Sequence, residues 1–516
     1  MAAANGFVPV GSVIAYAGCE DINTLNRHGW ALCDGRSVDV GGYRDLFDAI
    51  GTANGSSDGD HFNLPDLQGY FLRCVDATGT LDTGPRRAAR GNGNGGMEVG
   101  SLEVYSTAMA SDRRFKAQLR FEGGSNASFE GDEWDMLASC GGTTQTFVCR
   151  GGDPESRPIN AYVNFLIKTS GGDDPVPMGR LHPGMVVPYA GAEAKGQLAM
   201  SYAMCNGWAF PREGHEELYL ALGPAHGTVG DDYRLPDYRG RFLRGVDNGS
   251  GHDPEVEGRS PMTDGGNGGN QVGSIQKSAT GLPTQTPLVI HVPISNEKLR
   301  SNRAAGHDQA VWNPGTVDVV ASAAGGELET RPVNANVDYY VLTTKEAEAP
   351  LFPIGGVIAF PGAGKAVPSP EGWLPCDGRS LPRTGAYLML FEEIGATNGA
   401  VDHSHFNVPD YRGFFLRGCD HGTQRDPGAE GRIARLGGLA GDQVGSIQGW
   451  ETARPHQPFT AAIHSPVVDH ETAYAVGPLS GATADWMDPM QFLPVEGGDK
   501  ETRPVNVNVQ LYIRYA

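Results

Sequence analysis

The sequence is poor in the features that would mark it as a membrane, redox or nucleic-acid protein. No stretch of its 516 residues approaches the roughly 18 consecutive apolar residues of a bilayer span, so no membrane insertion is expected. The opening segment, MAAANGFVPVGSVIAYAG, has no basic region followed by a sustained apolar run, so synthesis in the cytoplasm without a signal peptide is expected. Cysteine is sparse, eight in all and far apart, with no CxxC; neither a zinc ribbon nor a thioredoxin-type centre is supported, and reduced, buried thiols are the simplest reading. Positive charge is short: 40 Lys+Arg against 61 Asp+Glu leave a net charge of −21, which repels phosphate backbones and anionic lipid surfaces. Glycine is plentiful at 74 residues but has no Gly-X-Y period, which excludes collagen. The runs RGNGNGGMEVGS and DGGNGGNQVGS lack GxxxxGK[ST] and lead into no helical pattern, so they read as loops and not as phosphate cradles.

What the chain does contain, it contains three times. LCDGRS (Leu32–Ser37) returns as MCNGWA (Met204–Ala209) and PCDGRS (Pro375–Ser380). LPDLQGYFLRCVD (Leu64–Asp76) returns as LPDYRGRFLRGVD (Leu235–Asp247) and VPDYRGFFLRGCD (Val408–Asp420). VGSLE at Val99 becomes VGSIQ at Val272 and Val444, and GSVIAYAG at Gly11 matches GMVVPYAG at Gly184 and GGVIAFPG at Gly355. Each copy closes on an alternating segment: ESRPINAYVNFLIK, ETRPVNANVDYYVL and ETRPVNVNVQLYIRYA. A period of two marks a half-buried strand, and constant order and spacing mark three tandem domains. The polar, aperiodic stretches Thr169–Arg180 and Thr343–Phe352 read as short linkers, giving domains at 1–169, 179–344 and 352–516.

One helix is expected per copy, because Tyr43, Leu46, Phe47 and Ile50 stand at i, i+3, i+4 and i+7 with Gly51 after them. His215, Leu218, Tyr219, Leu222 and Gly223 repeat the pattern, as do Tyr387, Leu390, Phe391, Ile394 and Gly395. The remainder reads as short strands and Gly/Pro/Asp turns, so the fold class is α+β, dominated by turn-rich β structure.

No motif carries convincing chemistry. Cys33, Cys205 and Cys376 precede Asp-Gly or Asn-Gly turns; as nucleophiles they would need a base that repeats with them, and no histidine does, so small buried groups are expected. Arg73, Arg244 and Arg417 recur in place, as do Arg157, Arg331 and Arg503 beside Glu155, Glu329 and Glu501. A catalytic Arg/Glu pair is conceivable, but ion pairs or bonds to loop carbonyls suit a five-donor guanidinium in a turn-rich fold better. His403 and His405 form an HxH that the second copy lacks, and SSDGD at Ser56–Asp60 lacks the remaining ligands of a calcium loop. No cofactor or metal is expected.

Taken together, the GxVIAYAG, GWxxCDGR, HFNLPDLQGYFLR and RPxN elements resemble the phage tail collar domain of short tail fibres, once per copy. The resemblance implies a non-enzymatic fibre-tip or baseplate component of a phage tail or phage-derived contractile injection system. Its implied location is the virion tail or injection particle, its partners other tail or baseplate proteins and a glycan or protein receptor. Family members usually carry one such domain and assemble as homotrimers, some with metal held by HxH histidines downstream of the VGS element. None of the three corresponding segments here contains HxH, so no such metal carries over.

Triplication suggests that one chain supplies all three domains of a trimer, as three look-alike bodies, each with its own core, arranged as a single-chain pseudotrimer. The rival is a homotrimer with nine domains strung along a fibre, although no repetitive shaft sequence is present. Between VGS and the RP element the copies diverge (Leu102–Pro154, Ile275–Leu328, Ile447–Lys500), and each interval keeps a tryptophan: Trp134, Trp312, Trp486. These intervals are expected to be protruding arms whose tryptophans either bind partners or fill the arm's own small core. A glycan-binding or glycan-hydrolysing tail protein is the alternative function; hydrolysis needs two carboxylates flanking a cleft, and the recurring Asp66, Asp237 and Asp410 lie instead in a Pro-Asp turn.

Overall fold

A computed structural model of the chain describes residues 8–17, 26, 29–75, 88–89, 91–96, 98–108, 116–120, 144–148, 150–151, 156–158, 160–169, 181–190, 201–282, 288–293, 318–324, 330, 332, 334–343, 352–360, 372–434, 437–453, 459–464, 491–496, 502, 504 and 506–516. Each repeat contains a seven-residue α-helix: α1, Arg44–Ile50; α2, Glu216–Leu222; α3, Leu388–Ile394. The helices end where the sequence places their glycines. Gly51, Gly223 and Gly395 stand at φ of 54°, 54° and 56°, a left-handed conformation that stops the helix at little steric cost. Leu46 and Ile50, and their counterparts Leu218, Leu222, Leu390 and Ile394, form the buried face.

Each repeat opens and closes on partnered strands. The opening strands Val13–Tyr16, Met185–Tyr189 and Val357–Phe360 run antiparallel to the closing strands of their own repeats, Asn160–Lys168, Asn334–Leu342 and Asn506–Arg514. Only the C-terminal half of each closing strand is engaged in this way. The N-terminal half leaves its repeat and runs parallel to a short inner strand of another: Asn160–Val163 on Phe242–Gly245, Asn334–Val337 on Phe415–Gly418, and Asn506–Val509 on Phe71–Cys74. The order is first to second, second to third, third to first. The inner strands also pair with one another two by two, Phe242 opposite Arg417, Arg244 opposite Phe71 and Phe415 opposite Arg73. Strands of all three repeats thus share one 16-stranded sheet.

The expectation of three separately cored bodies is corrected by this topology. A single apolar cluster runs from Tyr16, Trp30 and Leu46 through Tyr189, Leu218 and Tyr238 to Trp373, Leu390 and Ile513. The reason is that the opening strands contact each other as well as their own closing strands: Ala15 lies opposite Val186, Val13 opposite Ala359, and Tyr189 bridges to Gly356. Apolar side chains that would end one core therefore begin the next.

A second sheet collects the divergent intervals. Its seven strands run in the order Thr144–Val148, Val289–Pro293, Gln491–Glu496, Lys116–Arg120, Asp318–Ala324, Phe459–His464, Arg150–Gly151. By repeat, that order is first, second, third, first, second, third, first. The two edge strands are separated in the chain only by Cys149. The intervals accordingly pair with one another where they are described, and not as three isolated projections.

Candidate functional site

The seams between repeats are where the recurring side chains gather. Phe71, Phe242 and Phe415, one from each repeat and each 1% exposed, form a cluster of their own. Around it stand Arg73, Arg244 and Arg417, all fully buried. Each guanidinium lies over the phenylalanine of another repeat: Arg73 over Phe415 at 5.3 Å, Arg244 over Phe71 at 5.1 Å, Arg417 over Phe242 at 5.2 Å. Each Nε also donates across the same seam, to the carbonyls of Gly413 (3.0 Å), Gly69 (2.8 Å) and Gly240 (3.0 Å). A buried cation is tolerated only when paired and hydrogen-bonded. Glu103 at 3.6 Å, Asp253 at 3.4 Å and Asp426 at 3.3 Å provide the counter-charges.

The glycines in this ring are forced by close approach. Gly69 and Gly240 have φ of 72° and 66°. A Cβ at Gly69 would stand 2.7 Å from Asp247 and His252, and one at Gly240 would stand 2.6 Å from Asp420 and 2.7 Å from Arg425, all residues of the neighbouring repeat. A side chain there would push the seam apart.

A buried polar shell surrounds the ring. Asn160 donates to Gln276 at 3.3 Å and Asn506 to Glu103 at 3.5 Å, while Asn334 accepts from Arg432 at 2.7 Å. Arg157 pairs with Glu255 at 2.6 Å and donates to the Lys277 carbonyl at 3.2 Å, so its partners lie in the second repeat. Arg331, Arg503, Glu155, Glu329 and Glu501 lie outside the described residues. Three hydroxyl pairs, Thr107–Ser156, Thr280–Thr330 and Thr452–Thr502, are buried. They too reach across seams: Gly281 N donates to Ser156 Oγ at 3.0 Å, Ala453 N to Thr330 Oγ1 at 3.1 Å, and Ala108 N to Thr502 Oγ1 at 3.0 Å.

The three seams differ in detail. Between the first and second repeats Tyr70 Oη lies 2.9 Å from His252 Nε2. Between the second and third, Arg425, the counterpart of His252, instead forms an ion pair with Asp237 at 2.9 Å. Burial alone would raise the Asp237 carboxyl; hydrogen bonds from Arg239 and Arg425 outweigh it and hold the group at about 2.

Cys33, Cys205 and Cys376 are buried within the main apolar cluster, and burial pushes all three thiols well above their usual range. A thiol held protonated is a poor nucleophile. His405 bonds Asp402 at 2.8 Å and His61 bonds Asp58 at 2.7 Å; each histidine opens a short strand, His405–Asn407 or His61–Asn63, and its aspartate lies in the exposed turn before it. Among the described residues no helix is long and apolar enough to cross a membrane. Trp134, Trp312 and Trp486 lie outside the described residues.

Comparison with known proteins accounts for the N-terminal part of each repeat. The family model for the phage tail collar domain matches residues 11–72, 184–243 and 355–416. The chain carries three phage tail collar domains. Each match begins at the glycine before an opening strand and stops one residue short of Arg73, Arg244 or Arg417. The closing strands and the divergent intervals lie beyond the matched collar segments. Protein RhiB of Rhizobium leguminosarum bv. viciae is 35% identical to this chain over 147 residues, which are 28% of this chain and 64% of RhiB. The chain therefore covers less than two thirds of that relative's length. No solved structure matches the collar-domain chain significantly.

Proposed function

We propose that the chain is a non-enzymatic structural component of a phage tail or a phage-derived contractile injection system, folded as a single-chain pseudotrimer of collar domains. The observation that carries this reading is cyclic pairing: the third closing strand, Asn506–Arg514, lies on the first inner strand, Phe71–Cys74, as the first lies on the second and the second on the third. A head-to-tail interface repeated by a threefold rotation closes into a ring after three copies. Covalent linkage then replaces assembly from separate chains by an intramolecular event, at effective concentrations on the order of millimolar for short linkers. The segments 1–169, 179–344 and 352–516 act as repeat units within this ring and not as independently folding beads. The second sheet follows the same cyclic order of repeats, and its edge strands Thr144–Val148 and Arg150–Gly151 are separated in the chain only by Cys149.

Such a body fits a threefold or sixfold tail axis while presenting three different faces, which suits a fibre tip or a baseplate-associated part contacting unlike tail proteins or a cell-surface receptor. The tryptophans Trp134, Trp312 and Trp486 are the proposed partner contacts. If Trp486→Ala destabilises folding but leaves partner binding intact, that assignment is wrong.

A glycan hydrolase fits less well. The recurring Asp237 and Asp410 accept hydrogen bonds from Arg239 and Arg412 at 2.9 Å and 2.8 Å, which accounts for them as turn anchors without general acid–base work. Quantitative mass spectrometry of isolated particles tests the structural reading: the chain is expected in fixed stoichiometry with tail or sheath proteins, and its absence from such particles, or glycan cleavage by the purified chain, refutes it.

A further inference from the structure

One seam carries a side-chain cluster that the other two lack. Asp338 lies on the second closing strand, Asn334–Leu342, and Cys419 and His421 follow the third inner strand, Phe415–Gly418. Their ligand atoms, a carboxylate oxygen, a thiol sulfur and an imidazole nitrogen, all lie within 4.8 Å of one another. Strand register identifies the counterparts. Asn164, Val246 and Asn248 occupy these positions at the first seam, and Gln510 and Val75 at the third, where the sequence counterpart of His421 is Ala77, outside the described residues. At the first seam the left-handed turn recurs without the chemistry, since His421 and Asn248 both have φ of 46°. Three positions have therefore changed together, at one seam only, to the residue types that bind borderline-soft cations.

We propose that Asp338, Cys419 and His421 form a binding site for one zinc-class divalent transition-metal ion, clasping the second repeat to the third. Thiolate, carboxylate and neutral imidazole together carry two negative charges, which a divalent ion neutralises. Tetrahedral zinc keeps its ligands about 3.4–3.7 Å apart, so side-chain adjustments of about an ångström complete the geometry. The backbone beneath is fixed, because Cys419 N donates to Val337 O at 3.0 Å across the seam. Asp338 and Cys419 are 4% and 1% exposed, whereas His421 reaches solvent, giving the ion an entry path and a fourth position for water. Burial, with Asp338 and Asp442 nearby, raises the Cys419 thiol, and binding of a cation releases its proton to solvent as the thiolate forms.

The His421–Asp338 hydrogen bond of 2.7 Å alone would hold two of the three groups together, so the test must read the sulfur. Untagged, reduced full-length chain is titrated with cobalt(II) and then zinc(II). The expected result is one cobalt per chain with a thiolate-to-cobalt charge-transfer band that zinc abolishes. The variants Cys419→Val, His421→Asn and Asp338→Asn each import the residue that the first seam already accommodates, so folding is retained and is verified by circular dichroism. Cys419→Val is expected to abolish the band, and His421→Asn and Asp338→Asn to weaken affinity by at least about tenfold. Absence of the band in the parent chain, its survival in Cys419→Val, or unchanged affinity in His421→Asn overturns the proposal.

Discussion

Replacing Phe415 with alanine perturbs the centre of the ring, where all three repeats meet. Phe415 is 1% exposed, packs on Phe71 and Phe242, and carries the Arg73 guanidinium 5.3 Å from its ring centroid. Removing a buried phenyl ring costs about 3–5 kcal/mol in lost transfer energy and residual cavity. Arg73 then loses a desolvated cation–π partner worth up to about 2 kcal/mol, part of which that range already contains. The net expectation is a loss of about 4–5 kcal/mol in denaturant unfolding. Because the apolar cluster is continuous across the repeats, the loss is expected to move the whole transition and not one third of its amplitude. A double-mutant cycle with Arg73→Met isolates the link between residues of the first and third repeats, with an expected coupling of about 1–2 kcal/mol. Coupling below about 0.3 kcal/mol, or an unfolding curve in which only one third of the signal shifts, refutes the reasoning.

Two further perturbations probe the buried charges. Lys168 is buried against Trp30, its Nζ 5.6 Å from the ring and 3.4 Å from the Gly29 carbonyl, and burial lowers its pKa to about 8 from 10.5. The unfolded chain therefore binds the extra proton between those values, so stability rises with pH from about 8 to 10.5 as a penalty of about 3 kcal/mol is relieved. Lys168→Leu, the residue the second repeat carries as Leu342, is expected to stabilise the protein by about 2 kcal/mol at pH 7 and by much less at pH 10.5; destabilisation at pH 7 contradicts this. Asp237, held at about 2, contributes stability that is complete above its unfolded pKa and is lost as pH falls through 2. Asp237→Asn is expected to remove about 2 kcal/mol of acid-dependent stability, read as a flatter unfolding profile below pH 4, and an unchanged profile refutes the assignment.

The helices and terminal strands were legible because they are written in local periodicity: Leu46, Ile50 and Gly51 need only their own turn, and the closing segments alternate residue by residue. The seams were legible in part. Phe71, Phe242 and Phe415 recur in register beside the arginines, but a repeat shows that a position is constrained without showing what constrains it. Their partners lie in another repeat, up to 342 positions away for Arg73 and Phe415, where no local pattern points. The continuous core escaped the sequence for the same reason, since an opening strand such as Val13–Tyr16 reads identically whether its outer face meets solvent or a second opening strand. The Asp338–Cys419–His421 cluster is visible in the sequence only as three departures from the repeat, and their coincidence at one seam follows from the register between strands.

The most direct test of the account is the mass of the full-length chain in solution by sedimentation equilibrium, across a wide range of concentrations. The proposed pseudotrimer satisfies its own cyclic pairings, so a single species of 54.7 kDa is predicted at every concentration. A stable homotrimer of about 164 kDa would contradict it, because the third closing strand would then be free to pair with the first inner strand of a neighbouring chain.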